Sequence, residues 1–242
     1  MSPAQSDHSR PCTQGEGRLS AGGQAILDVA AGLFSEKGFD ATSMSEVARC
    51  AGVSKGNVFH HFGSKHELYL EVIREACRDS GEALQQGRDQ GGPVTDQLSA
   101  FLVHHLESLL RREQVSRLVV REVMESSPEG GKELAERVFY ERFTELVGIV
   151  QEGQSSGEFR ANLDPALLTL MIIGINVFFF QSRNVLRHFS HVDFADDPER
   201  FAQMAADLLF HGCLGKQPPD PTSGEAAGDP DLPVMSQEKV HD

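Results

Sequence analysis

Cysteine is scarce in this 242-residue chain, and Cys12, Cys50, Cys77 and Cys213 are scattered with no CxxC pair among them. Such spacing excludes a disulfide framework and leaves free thiols in a reducing compartment. Sustained period-two alternation is also missing, which argues against a sheet with one buried face. The longest strongly apolar run, Leu167 to Phe180, is interrupted by Gly174 and Asn176 and is short for a membrane span. The N-terminus is polar, with no apolar stretch of the kind a secretory signal needs. A cytoplasmic protein with no membrane partner is therefore expected. HExxH and P-loop motifs are absent and no catalytic pair stands out, so no enzyme is expected. Cofactors and metals are not expected either. His188 and His191 have Asp193 nearby but lie where a helix ends, and His211 with Cys213 cannot share a helix face.

Acidic residues outnumber basic ones, giving a net charge of −14, which at first argues against a polyanionic partner. The distribution matters more than the sum. The tail from Gly215 to Asp242 carries Asp220, Glu225, Asp229, Asp231, Glu238 and Asp242 against Lys216 and Lys239. Residues 18–66 instead carry Arg18, Lys37, Arg49, Lys55 and Lys65 against Asp28, Glu36, Asp40 and Glu46, with His60, His61 and His66 beside them. DNA is not excluded as a partner, but non-specific binding should be weak.

What is present is helical periodicity. Residues 1–19 and 215–242 lack it, being rich in Ser and Gly or in Pro and acid, and are expected to be disordered tails. Between them, Ile26, Leu27, Ala30, Leu33 and Phe34 recur at helical spacing, and Gly38 supplies a stop. Ser43 with Glu46 is a capping box for a second helix bearing Met44, Val47 and Ala48, which ends at Gly52. Ser54 caps a third short helix to about His61, and Ser64 with Glu67 opens a longer one toward Gln85. Beyond Gly91-Gly92-Pro93, helices are expected from a Thr95 cap to about Arg112, over Val115–Glu125 and over Lys132–Gln154. Asp164-Pro165 and Asp197-Pro198 start two more, ending near Phe189 and Gly215. The fold class is all-α, with about nine helices by this pattern.

The run from Ser43 to Phe62 packs two short helices about one tight turn. Gly52 permits the positive φ such a turn needs, and Ala48 lets the helices cross closely. Val47, Val53, Val58 and Phe62 can face inward, leaving Ser54, Lys55, Gly56, Asn57 and His60 outward at the start of the second helix. Hydroxyls, a helix N-terminus and lysine bind phosphate oxygens, asparagine can read adenine, and glycine lets the backbone approach closely. The next helix opens at Ser64-Lys65, which offers free N–H groups and an ammonium to a phosphate. Periodicity alone equally fits a short helical hairpin inside an ordinary bundle.

Residues 24–70 resemble the DNA-binding region of the TetR/AcrR family. The matching positions are Ile26, Ala30, Phe34, Gly38, Thr42, Ala48, Ala51-Gly52-Val53-Ser54, Gly56, Phe59, His61-Phe62, Ser64-Lys65 and Leu68. The resemblance implies a three-helix helix-turn-helix domain at 20–66 and a helical effector-binding and dimerisation domain at 67–214. It implies base or backbone contacts from Ser54, Lys55, Asn57 and His60, with Gly56 beside them, and phosphate contacts from Thr42, Ser43, His61 and Lys65. Phe59 stands where the family usually has Tyr, so a phenolic phosphate contact is lost. Ala21-Gly22-Gly23-Gln24 replaces the basic residues often found there. His61 reads equally as a buried structural residue.

The resemblance further implies a homodimer formed through the last two helices, about 165–189 and 198–214. Independently, the Leu167–Phe180 stretch is apolar nearly all round, which suits burial on two sides. A two-fold dimer implies a palindromic operator on double-stranded DNA. The effector expected is a small lipophilic molecule held by Phe101, His105, Leu109, Val120, Met124, Phe139, Phe143, Met171 and Phe178. The function expected is ligand-responsive repression of transcription. The alternative is a DNA-bound adaptor of the same fold that answers to a protein partner. Lys55, Asn57 and Lys65 argue against an enzyme or lipid carrier that keeps only the fold.

Overall fold

The computed structural model describes residues 19–212, so the two tails, Arg18, Cys12 and Cys213 lie outside the described residues. Within that range the chain is helical, without a strand: α1 (Ala21–Ala41), α2 (Met44–Cys50), α3 (Lys55–Phe62), α4 (Lys65–Gln90), α5 (Val94–Arg111), α6 (Glu113–Glu125), α7 (Pro128–Leu134), a π-turn (Ala135–Phe139), α8 (Tyr140–Ser156), α9 (Pro165–Leu186) and α10 (Pro198–His211).

Local capping sets most of these starts. Ser20, Ser43, Ser54 and Ser64 each accept a hydrogen bond from the backbone N–H three residues on, at 3.1–3.2 Å. Asp164 and Asp197 do the same for Leu167 and Arg200, each followed by proline in the first turn. The boundaries differ from the sequence expectation in several places. Thr95 does not cap α5, which starts at Val94 after Pro93. α4 continues to Gln90, and α9 stops at Leu186. The single helix expected over Lys132–Gln154 starts earlier, at Pro128 where the Ser127 hydroxyl accepts from Gly130 N–H, and is divided by the π-turn that separates α7 from α8.

One core gathers Ile26, Leu27, Ala30, Phe34, Val47, Val58 and Phe62 from α1–α3 around Leu68, Val72 and Ile73 of α4. This core does not stop at residue 66. Leu118 of α6, Leu134 of α7 and Val138 of the π-turn complete it, since three short helices alone enclose little volume. A second core joins Leu84 of α4 to Leu98 and Leu102 of α5, Ile149 and Val150 of α8, Leu168 and Ile172 of α9 and Ala206 of α10. A third, smaller group stacks Phe179 on Phe201, with ring centroids 3.9 Å apart. α9 is long and apolar enough to cross a membrane by composition, but its inner face is filled by α5 and α8.

Packing is close where α8 ends. A Cβ on Gly153 would lie 2.5 Å from the Phe159 ring and 3.1 Å from Val94. Gly153→Ala is therefore expected to lower stability by about 1–3 kcal/mol through overpacking, despite alanine's better helix propensity. Urea unfolding of the two proteins checks this; an unchanged or raised midpoint would show that the ring moves aside freely.

Candidate nucleic-acid interface

The α2–α3 pair is held from beneath. Val47 and Val58 are fully buried, with Ala48 and Phe62 close behind. Gly52, at φ 68°, makes the turn, and Val53 N–H donates to the Ala48 carbonyl at 3.0 Å. This anchoring leaves Ser54, Lys55, Gly56, Asn57, Phe59 and His60 exposed along the N-terminal half and outer face of α3, with Ser43 exposed at the start of α2. Phe59 is 41% exposed, and the Lys55 ammonium stands 5.8 Å from its ring centroid. The phenylalanine therefore supports the lysine's position on a surface that carries no phenol.

His61 is half-buried and turns back onto the start of α1. A Cβ on Gly23 would sit 3.4 Å from its Nδ1, and one on Gly22 4.0 Å from its Nε2. The glycines that replace basic residues thus make room for this imidazole. Lys65 has its ammonium 4.2 Å over the Phe39 ring, within 3.2 Å of the Asp40 carbonyl oxygen. Thr42 departs from the expected phosphate role. It is buried, and its hydroxyl donates toward the Gly38 and Leu33 carbonyls at 2.9 and 3.3 Å. Gly38, at φ 82°, turns the chain so that Thr42 closes the end of α1 instead of facing outward.

The nine residues expected around an effector do not gather in one cavity. Phe139 and Phe143 line a groove of about 370 Å³ between α6, α7, the π-turn and α8. Phe101 and His105 stack on each other with centroids 5.4 Å apart, and Asn176 Nδ2 lies 3.3 Å from His105 Nδ1. Val120 is buried and Leu109 half-buried. Met124, Met171 and Phe178 point outward, at 76%, 49% and 69% exposure. The sequence reading missed Val123, Ser126, Gly131, Leu134, Ala135, Tyr140 and Thr144, which complete the groove. The signal was the Ser127-Pro128 pair, which divides α6 from α7 and so opens that space.

The groove's own elements reach α4. Arg137 donates to Glu67 at 2.6 Å and to Glu133 at 2.8 Å, and His66 meets Glu133 at 2.9 Å. Arg74 donates to the Arg137 carbonyl at 2.9 Å. These groups hold the Glu133 carboxyl below and the Arg137 guanidinium above their ordinary ranges, chiefly through the His66 and Glu67 hydrogen bonds respectively.

Residues 26–72 match a family model described as "Bacterial regulatory proteins, tetR family", and residues 93–208 match "Tetracyclin repressor-like, C-terminal domain". The HTH-type transcriptional repressor KstR2 of Rhodococcus jostii is 30% identical over 59% of this chain and 70% of its own length. The HTH-type transcriptional regulator RutR of Escherichia coli is 31% identical over 64% of this chain and 71% of its own. Among solved structures, FadR from Bacillus subtilis in complex with stearoyl-CoA superposes with a TM-score of 0.65 at 20% identity, over 79% of this chain and 99% of that one. The chain belongs to the TetR family of bacterial transcriptional regulators.

His105 yields a prediction about pH. Burial pushes its imidazole down to about 4, from an ordinary 6.5. The unfolded chain takes up a proton below 6.5 that the folded chain refuses until about 4, so stability falls as pH drops through that window. Relative to His105→Leu, the native protein should lose stability more steeply between those two values. Parallel denaturation midpoints across the range would show that this imidazole is not held neutral.

Proposed function

We propose that this chain is a cytoplasmic, ligand-responsive repressor that binds a palindromic operator as a homodimer and is released by a small lipophilic effector. The observation that carries the proposal is α3. Its inner residues, Val58 and Phe62, are locked in the core, while Ser54, Lys55 and Asn57 are exposed at its N-terminal half and His60 on its outer face. That is the part of a recognition helix that meets base edges in a major groove, with its lysine and hydroxyl suited to phosphate.

The homodimer reading is supported by α9 and α10. Leu167, Leu170, Met171, Phe178 and Val185 recur at helical spacing and are 49–69% exposed, a stripe opposite Leu168, Ile172 and Phe179. Met204 and Leu208 on α10 extend the apolar surface. A Cβ on Gly174, in the middle of the stripe, would meet nothing within 4 Å, so a second helix can approach closely there. Contiguous exposed apolar surface of this kind marks association, and a two-fold axis would separate two recognition helices by about 34 Å. A lipophilic effector is supported by the apolar groove and by two relatives: a "Fatty acid metabolism regulator protein" of Bacillus subtilis, 24% identical, and the FadR structure holding stearoyl-CoA.

Two measurements test the reading. Selection of bound fragments from genomic DNA should recover a short palindrome; on that sequence Asn57→Ala should cost about 1–3 kcal/mol and relax base preference. Lys55→Ala should weaken all DNA alike and reduce the salt slope by about one. Equal losses on operator and random DNA for both variants would refute this division of roles. Leu170→Glu, in sedimentation velocity, should shift the dimer toward monomer while leaving the helical signal intact. A dimer of undiminished stability would place the interface elsewhere.

A further inference from the structure

We infer that the groove between α6, α7, the π-turn and α8 is a docking site for a segment of this same chain, residues 230–235 of the C-terminal tail. The inference goes beyond the effector reading, because it concerns the protein with no effector present. Where the π-turn parts α7 from α8, Phe139, Tyr140 and Phe143 present three aromatic rings to the groove, together with Val123 and Leu134. Tyr140 is 66% exposed. Neither its hydroxyl nor that of Thr144, also in the lining, has a hydrogen-bond partner among the described residues. Aromatic faces beside free hydroxyls suit a polyproline II segment, whose carbonyls are unbonded within the segment and whose shape is set before binding.

The tail contains one stretch of that kind with large apolar side chains. Pro230-Asp231-Leu232-Pro233 has prolines three residues apart, one turn of a polyproline II helix, and Val234 and Met235 follow. The same spacing from Pro218 to Pro221 encloses Pro219 and Asp220, with no large apolar residue beside it. Reach selects the same stretch. α10 ends at His211, and the ring of its Phe210 lies 5.9 Å from that of Phe159, between centroids. Phe159 N–H in turn donates to the Gly153 carbonyl at 3.0 Å, so the tail leaves the fold beside the last turn of α8. From Gly153 back to Tyr140, which opens that helix, is about 20 Å at helical rise. The eighteen residues from Gly212 to Pro230 span about 21–25 Å as a root-mean-square coil. The six from Gly212 to Pro218 cover that distance only when fully extended. A tether matched to its span raises the local concentration of the segment to about millimolar, so even a weak contact is occupied. Seated there, the segment bridges α7 and α8 next to Leu134, which belongs to the DNA-binding core.

The chain has two tyrosines, so meta-fluorotyrosine is a site-resolved probe of the full-length protein by fluorine NMR. Tyr69 is buried, with its hydroxyl on Glu122, and serves as the internal reference; Tyr140 reports on the groove. In the native protein the Tyr140 signal should show a smaller isotope shift between light and heavy water than a fluorotyrosine peptide does. Leu232→Ser with Pro233→Ser, both outside the described fold, should move that signal and raise its isotope shift to the peptide's, leaving Tyr69 unchanged. A synthetic peptide of residues 228–237 should restore the native signal in that variant at about millimolar concentration. A Tyr140 signal identical in the two proteins, or one that the peptide fails to restore, overturns the inference. A native signal that moves toward the variant's on dilution overturns it as well, by identifying a second copy as the occupant. Operator binding plays no part in these readouts, so loss of the inference leaves the repressor reading standing.

Discussion

The structure depends on one helix being buried at both ends in different cores. α4 places Leu68, Tyr69, Val72 and Ile73 in the core of the helix-turn-helix and Leu84 in the core of the larger domain. Twenty-six residues at helical rise make a rod of about 39 Å. A rod fixed at both ends transmits displacement, because packed cores are not continuously deformable. The orientation of α3 is therefore a property of how α4 sits in the second domain. Tyr69 reinforces this. Its ring meets Phe34 and Phe39 edge-on, at 5.0 and 4.9 Å, while its hydroxyl donates to Glu122 of α6 at 2.7 Å. Burial pushes that phenol well above its ordinary range.

The contacts of α4 with α7 and the π-turn matter through number and geometry more than strength. His66, Glu67 and Arg74 reach Glu133 and Arg137, and each pair is partly exposed, where a single ion pair contributes little. Together they frame a short apolar seam formed by Leu134 and Val138, which belong to the DNA-binding core although they come from the other domain. Arg112 extends the tie by donating to the Glu75 carbonyl at 3.2 Å. Displacement of the π-turn must therefore either carry the start of α4 with it or break several contacts at once. The groove lies directly along this seam, with Leu134 in both.

What was legible in the sequence was local. A serine or aspartate ahead of an apolar period specifies a helix start within a few residues, and Ser43, Ser54, Ser64, Asp164 and Asp197 all act as read. The exposed face of α3 was legible for the same reason, since the turn at Gly52 fixes which residues of two short helices can touch. Thr42 was not. Residue type and position suggested a phosphate contact, but a positive φ four residues earlier folds the hydroxyl inward, and that is a property of the chain path. The α7–α8 division was hidden because the apolar period runs on through the π-turn, and helical spacing does not register one inserted residue. The effector residues failed differently. α9 is apolar on both sides, so pattern alone could not separate Ile172 and Phe179, which are buried, from Met171 and Phe178, which are exposed.

That ambiguity in α9 is resolved by its one buried amide. A helix apolar on every side can pack in several rotational settings of similar energy, and nothing in leucine, isoleucine or phenylalanine distinguishes them. Asn176 is fully buried, and its amide donates to the Leu102 carbonyl of α5 at 2.8 Å. Rotating α9 by one residue would place that amide against hydrocarbon and forfeit the bond, at a cost of about 1–3 kcal/mol for a buried polar group left unpaired. The asparagine that interrupts the longest apolar run thus specifies which stripe of the run faces outward. Leu170, Met171 and Phe178 are exposed because Asn176 is not, and the setting of the outer face follows from a hydrogen bond on the inner one.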